Sequence, residues 1–144
     1  MKQIKNALKY YVISERFLIF SKKNSGGANG LGRAISFRLG QEGCDVIIID
    51  INEKEALRTA VEIHEQSGVK TKSYKVDVSS FEAFQELKQN ISNDFNGRTI
   101  DILINNAGIL SSISLTEGHY TQIQKQIDVN LASHFWVRQN SMLI

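Results

Sequence analysis

The segment from Ser25 to Gly32 holds the densest group of glycines in the chain and constrains the fold more than any other feature. It follows the apolar run Phe17 to Phe20, which resembles the end of a buried strand. After it, apolar residues recur at three- and four-residue steps as far as Leu39, as on one face of a helix. The order strand, glycine turn, helix predicts a sharp turn in which backbone N–H groups at the helix start are open to an anion.

The rest of the chain repeats the alternation of strand and helix. Val46 to Ile49 is a β-branched run that ends at Asp50, as expected of a strand buried on both faces. Two further strands are predicted at Thr71 to Val78 and at Ile100 to Ile104. Helices are predicted after residues that cap helix starts, namely Asn52, Ser79 or Ser80, and Thr116.

Apolar spacing indicates which face of the second and third helices is buried. In the second helix, the inner face is predicted to contain Ala56, Leu57, Ala60, Val61 and Ile63 or His64. In the third helix, it is predicted to contain Phe81, Phe84, Leu87, Ile91 and Phe95. The last helix carries Ile123, Ile127, Asn130, Leu131 and the group Phe135, Trp136 and Val137.

Strands that alternate with helices are joined by right-handed crossovers, so helices cover both faces of a parallel sheet. We therefore predict an α/β fold, a doubly wound parallel sheet of the Rossmann type, which stops after about its fourth strand and the following helix. Residues 1–24 are predicted to form a leader with an altered first strand, and residues 25–144 a partial dinucleotide-binding domain. In the leader, a first core strand is favoured over an amphipathic surface anchor with Lys2, Lys5 and Lys9 on its polar side.

The glycine spacing excludes two kinds of phosphate-binding loop and matches a third. The loop is not a Walker A motif, because Arg33 and Ala34 stand where Lys and Ser or Thr are needed. It is not G-x-G-x-x-G, because Ile35 occupies the place of the third glycine. Ser25, Gly26, Gly30 and Gly32 instead follow the pattern T-G-x-x-x-G-x-G, with Ser in place of Thr.

With this motif, and with Asp50, Asp77-Val78 and the run Asn105 to Gly108 after successive strands, the sequence resembles the short-chain dehydrogenase/reductase family from Ser25 to about Arg138. The resemblance implies a nicotinamide dinucleotide cofactor and hydride transfer between alcohol and carbonyl compounds. It implies that the cofactor-binding residues are Ser25, Gly26, Asn29, Gly30, Leu31, Gly32, Asp50, Asp77, Val78, Asn105, Ala107 and Gly108.

The choice of cofactor is predicted from Asp50. A carboxylate at the end of the second strand accepts hydrogen bonds from the ribose hydroxyls and repels a 2′-phosphate. Family members that use NADP often carry Arg or Lys where Asn29 or Ile51 stands here. We therefore expect NAD to be preferred over NADP.

Further family features lie in the last helix. Asp128-Val129-Asn130-Leu131 resembles the family segment whose Asn helps to hold a water molecule in the proton relay, which makes Asn130 the one candidate catalytic residue. Together with Arg33 and His134 to Trp136, this segment is most similar to the branch that acts on retinoids, steroids and other lipid alcohols.

The family's catalytic serine and its Tyr-x-x-x-Lys pair are not found in the sequence. A lysine one helical turn from a tyrosine favours the phenolate that acts as the base. The four tyrosines are followed, four places on, by Ser14, Glu15, Val78 and Gln124. Lys125 is interpreted as a solvated helix residue. Three hypotheses remain open: a catalytically incomplete oxidoreductase, a non-catalytic module that binds a nucleotide or a partner, and a fragment of an active full-length enzyme.

Other partners and sites are excluded or predicted from composition. Lysines and arginines exceed acidic residues by only 17 to 15 and form no basic run, so nucleic acid is not an expected partner. The three histidines lack metal-ligand spacing, and no apolar run reaches the length of a transmembrane span.

The lone Cys44 fits a packed residue in a reducing compartment, so we expect a cytoplasmic protein, with peripheral membrane or lipid-droplet association as the alternative. Because the fourth strand would form an edge of the sheet, we also expect self-association through the last helix.

Overall fold

The computed structural model describes residues 10–14, 30–96, 100–109 and 120–136, and for residues 10–14 only the backbone. Four strands form a parallel sheet in the order β3-β2-β1-β4, with β1 at Tyr10–Ser14, β2 at Asp45–Asp50, β3 at Thr71–Lys75 and β4 at Ile102–Ile104. The helices are α1 at Leu31–Gln41, α2 at Glu53–Ser67, α3 at Phe81–Asp94 and α4 at Tyr120–Ile127. A π turn, Asp128–Ala132, continues α4.

The central strand β2 is buried on both sides, as predicted. Ile47 and Ile49 pack on the face covered by α3, whereas Val46 and Ile48 pack on the face covered by α2. Successive side chains of a strand point to opposite faces, so one short run supplies both cores. The doubly wound α/β arrangement is confirmed.

The first strand lies earlier in the chain than the apolar run that predicted it. Tyr10–Ser14 pairs in parallel with both β2 and β4, with Val12 opposite Ile47 and Leu103. The first core strand that was favoured for residues 1–24 therefore lies at a central position in the sheet. Phe17 to Phe20 lie outside the described residues.

Capping residues define the starts of the two best-packed helices. The Asn52 side chain accepts a hydrogen bond from the Glu55 N–H, and the Ser80 side chain accepts one from the Ala83 N–H. Gly68 ends α2 in the left-handed conformation at φ 68°, which suits glycine. The predicted caps at Asn52 and Ser80 are confirmed, while Thr116 lies outside the described residues.

Two apolar residues of α2 were assigned to the wrong face. The residues of α2 that are buried are Ala56, Thr59, Ala60 and Ile63, whereas Leu57 and Val61 are 55% and 46% exposed. Leu57 and Val61 line an open depression beside β3, the outer strand of the described sheet. The sheet therefore ends before it covers them.

The third and fourth strands are shorter than predicted. The third strand ends at Lys75 instead of Val78, and the fourth begins at Ile102 instead of Ile100. In α3, Phe84, Leu87 and Ile91 are buried as predicted, and Phe95 is buried at its end. Cys44 is also buried, at the entrance to β2. In the described part of the chain, no helix is long and apolar enough to cross a membrane.

Gly40 allows α1 and α2 to approach closely. A Cβ atom at this position would lie 2.5 Å from Cγ2 of Ile63, whose side chain is fully buried. We predict that Gly40→Ala lowers the free energy of unfolding by about 1–3 kcal/mol, because overpacking outweighs the gain in helix propensity. Urea denaturation measures this change. In an Ile63→Ala background the same substitution should cost much less, and an equal cost in both backgrounds would contradict the explanation.

Candidate functional site

The start of α1 is the part of the glycine motif that the structure describes. Gly30 is the N-cap in an extended conformation, and among the described residues no side chain caps this helix. No acidic residue lies in its first turn, and Gly32 is buried. The first N–H groups of a helix have no intrahelical partner and carry its positive end, so this turn is suited to a phosphate. Ser25, Gly26 and Asn29 lie outside the described residues.

Asp50 stands at the end of β2 and is almost fully buried, at 4% exposure. Its Oδ1 accepts a hydrogen bond of 2.7 Å from the Asn52 N–H, which orients the carboxylate. Beyond it lies an open depression of about 690 Å³, lined by Ile51, Asn52, Glu53, Lys54, Leu57 and Lys75. The Asp50 carboxylate and the ammonium groups of Lys54 and Lys75 therefore lie near the position predicted for the ribose.

Asp77 follows β3 and is held by two side chains. Its Oδ1 accepts hydrogen bonds from the N–H and the hydroxyl of Ser79, at 3.0 and 2.6 Å. Its Oδ2 accepts one from Nζ of Lys125 at 2.8 Å. Partial burial by itself raises the pKa of Asp77, but the hydrogen bonds from Lys125 and Ser79 outweigh it and lower that pKa to about 2. The carboxylate is therefore ionised at neutral pH.

The contact with Lys125 corrects one sequence interpretation. We had taken Lys125 for a solvated helix residue, but it reaches from α4 to the loop after β3. One signal available in the sequence is its position four residues before the apolar Val129, since residues four apart share a helix face. No signal pointed to Asp77 as the partner, because the two residues are 48 positions apart.

The run Asn105 to Gly108 follows β4, and only part of it is buried. Ala107 is buried, whereas Asn105 is exposed and Asn106 is half-buried. An Asn side chain that satisfied several backbone groups would be buried, so the exposure of Asn105 does not fit such a role.

Asn130 joins the last helix to Ile109, the residue that follows this run. It lies in the π turn, where its Oδ1 accepts a hydrogen bond of 2.7 Å from the Ile109 N–H and its Nδ2 donates one of 2.8 Å to the Ile109 carbonyl. This pair of bonds satisfies one backbone amide and one backbone carbonyl together. The sequence analysis named Asn130 as a candidate site residue but did not identify Ile109 as its hydrogen-bond partner.

These groups meet at one edge of the sheet. Because all four strands are parallel, the residues that follow β2, β3 and β4 lie at the same, carboxyl edge. Helix α1 ends just before β2 begins, so its start also lies toward that edge. In open α/β sheets, ligands bind at this edge. Among the described residues, no group of His, Cys, Asp or Glu is arranged to hold a metal ion.

Comparison with known proteins identifies the family. A family model described as short chain dehydrogenase matches residues 25–143. The chain belongs to the short-chain dehydrogenase family. It is 34% identical over 118 residues to the 3-oxoacyl-acyl-carrier-protein reductase FabG of Aquifex aeolicus, covering 82% of this chain and 47% of the relative. It is 27% identical to short-chain dehydrogenase/reductase family 16C member 6 of Bos taurus, covering 90% and 43%. The chain therefore spans less than half the length of these curated relatives.

Solved structures agree on the fold. L-sorbose reductase of Gluconobacter frateurii, in complex with NADPH and L-sorbose, superposes with a TM-score of 0.79 at 22% identity, over 94% of this chain and 47% of the reductase. NAD+-bound xylitol dehydrogenase gives 0.75 at 24% identity, over 92% and 46%. At this level of identity the likeness shows a shared Rossmann-type fold.

The bonds of Asn130 give a test of the loop's attachment. We predict that Asn130→Ala speeds amide hydrogen exchange at Ile109 by about tenfold, since two partly exposed hydrogen bonds together contribute about 1–2 kcal/mol. Exchange measured by NMR reports this change, with Gln122→Ala on an exposed part of α4 as the control. Unchanged protection of Ile109 in the Asn130 variant would show that other contacts hold the loop.

Proposed function

We propose that the chain is the dinucleotide-binding part of an NAD-dependent oxidoreductase that acts on an alcohol or carbonyl group. The observation that carries the proposal is the convergence of an open helix start, Asp50, Asp77 and the loop after β4 at the carboxyl edge of one parallel sheet. The chain's membership of the short-chain dehydrogenase family supports it.

Each part of the edge has a role in this proposal. The start of α1 binds the pyrophosphate through its N–H groups, and Asp50 accepts hydrogen bonds from the adenosine ribose. Asp77 and Val78 contact the adenine ring, while the run Asn105 to Gly108 lines the cleft. The bound cofactor supplies a nicotinamide ring that donates or accepts hydride.

The acid/base pair of the family reaction is not among the residues of this sequence. We therefore propose that these 144 residues bind NAD without turning over an alcohol. The alternatives are a non-catalytic nucleotide-binding or partner-binding module and a piece of an active longer enzyme. Calorimetric titration with NAD, combined with an assay of alcohol-dependent NADH formation, tests the proposal: turnover contradicts it, and a lack of NAD binding favours the partner-binding module.

The preference for NAD depends on a balance of charges. The Asp50 carboxylate repels a 2′-phosphate, whereas Lys54 and Lys75 in the neighbouring depression attract one. Asp50 is buried and oriented at the strand end, while the two lysines line a surface open to solvent, where charges are screened. This difference supports NAD as the preferred cofactor.

The preference is tested at Asp50. We predict that NAD binds at least about tenfold more tightly than NADP, and that Asp50→Asn reduces this ratio to a few-fold by removing the repelling charge. Dissociation constants from calorimetry measure the ratio. The control is Glu53→Gln, which removes a carboxylate from the depression that Lys54 and Lys75 line. Equal affinity of the unaltered chain for the two cofactors would show that the lysines dominate.

For the substrate, we propose a lipid-like alcohol or carbonyl compound. The motifs that support it are Arg33 after the glycines, the segment Asp128 to Leu131, and the group His134 to Trp136. The likeness to the bovine family 16C member extends over 90% of the chain. We further propose a cytoplasmic protein, with peripheral membrane or lipid-droplet association as the alternative, and the buried thiol of Cys44 is compatible with a reducing compartment.

We also propose that the last helix associates with a second copy of the chain. An apolar stripe formed by Ile123, Ile127, Leu131 and Phe135 is exposed along α4 and its continuation. The four residues follow one another at four-residue steps, so they lie on one side of the helix. Contiguous exposed apolar surface of this kind marks interaction sites.

Sedimentation measurements test the stripe. We predict that the unaltered chain forms dimers at micromolar concentration and that the double variant Leu131→Ser, Phe135→Ser shifts it to monomer. The control is Leu57→Ser, Val61→Ser, which removes exposed apolar side chains from α2 instead. A monomeric unaltered chain, or an equal effect of both double variants, would contradict the assignment.

A further inference from the structure

Lys125 joins the last helix to the loop that follows β3. Its Nζ donates hydrogen bonds to Oδ2 of Asp77 at 2.8 Å and to Oγ of Ser79 at 2.6 Å. The position of α4 is fixed independently by buried Val129 and by Trp136, whose ring makes a T-shaped contact with that of Phe81, with centroids 5.5 Å apart. The helix therefore brings the ammonium group to the carboxylate.

Among the described residues, the bonds from Ser79 and Lys125 leave one acceptor site on the Asp77 carboxylate. A carboxylate has about four lone-pair sites, two on each oxygen. Both sites on Oδ1 are used by the N–H and hydroxyl of Ser79, and one on Oδ2 is used by Lys125. The remaining site, on Oδ2, has a direction set by the other three bonds.

Stability alone does not account for this contact. The side chains of Lys125 and Asp77 are 43% and 36% exposed, and ion pairs this open to solvent contribute little to folding. What the contact does provide is orientation, because it fixes a charged acceptor at the edge of the sheet where the nucleotide is proposed to bind.

We propose that Lys125 is a positioning residue for the adenine subsite, where it directs the free acceptor site of Asp77 toward the amino group of the base. This inference rests on the proposed binding of NAD. A carboxylate only accepts hydrogen bonds, so it favours adenine, which presents an amino donor, over hypoxanthine, which presents a carbonyl oxygen at the same place. Lys125 thereby contributes to base selectivity without touching the base.

The test compares NAD with nicotinamide hypoxanthine dinucleotide, which carries a carbonyl oxygen in place of the amino group and a hydrogen on the adjacent ring nitrogen. Calorimetry gives the two dissociation constants for the unaltered chain and for Lys125→Met. We expect the unaltered chain to favour NAD by at least about tenfold, since the analogue leaves a charged acceptor unpaired. In Lys125→Met the ratio should fall at least threefold, because the carboxylate loses its fixed direction.

Three variants make the result specific. Lys125→Arg keeps a cationic donor and should restore most of the ratio. Ser79→Ala frees Oδ1 and should lower the ratio as Lys125→Met does, which provides a second route if Lys125→Met folds poorly by circular dichroism. Lys88→Met, on α3, removes a lysine that has no place in the cluster and should leave the ratio unchanged.

The outcomes separate this inference from the proposed function. If the unaltered chain binds neither dinucleotide, the proposed function fails and the inference fails with it. If it binds NAD but Lys125→Met and Ser79→Ala keep the original ratio, NAD binding stands and the positioning role is overturned. A uniform weakening of both dinucleotides in Lys125→Met also overturns it, because that result describes a purely structural link.

Discussion

Every other part of the described structure is arranged around the burial of β2 on both faces. Four consecutive apolar residues, Val46 to Ile49, are almost completely removed from water, and alternate members belong to opposite cores. Burial of this kind contributes about 1.5–3 kcal/mol for each side chain, so the strand can occupy only one position in the sheet. Asp50 comes next in the chain, and its place at the edge of the sheet follows from that burial.

The sequence predicted most of the fold because its signals are local. The β-branched run of β2, the caps at Asn52 and Ser80 and the apolar spacing of α3 all act within a few residues of where they appear. The assignment failed at Leu57 and Val61, since periodicity identifies an apolar side of a helix but not how far the neighbouring sheet extends to cover it. The first strand was displaced for a related reason: Tyr10–Ser14 and Phe17 to Phe20 are both apolar runs, and only pairing with β2 and β4 distinguishes them.

The candidate site was predictable in its parts but not in its connections. Motif positions named Asp50, Asp77 and Asn130 because strand ends and glycine turns can be located from the sequence. The bonds between Lys125 and Asp77, and between Asn130 and Ile109, join residues 48 and 21 positions apart. Such contacts depend on how α4 lies across the sheet, which no local pattern specifies. Both bring a side chain of the last helix to a loop at the carboxyl edge, so the geometry of that edge depends on the docking of α4.

The π turn at Asp128–Ala132 affects the direction in which side chains point around the axis of the last helix. Side chains at four-residue steps in an α-helix drift around its axis by about 40° per step. A turn closed by i→i+5 hydrogen bonds holds more residues and takes back part of this drift. Ile123 and Phe135 can therefore remain on the outer side while Val129 and Ser133 face inward. Loss of one residue from the turn would rotate everything after it, so that Trp136 would leave its place beside Phe81 even though its own neighbours in the sequence were unchanged.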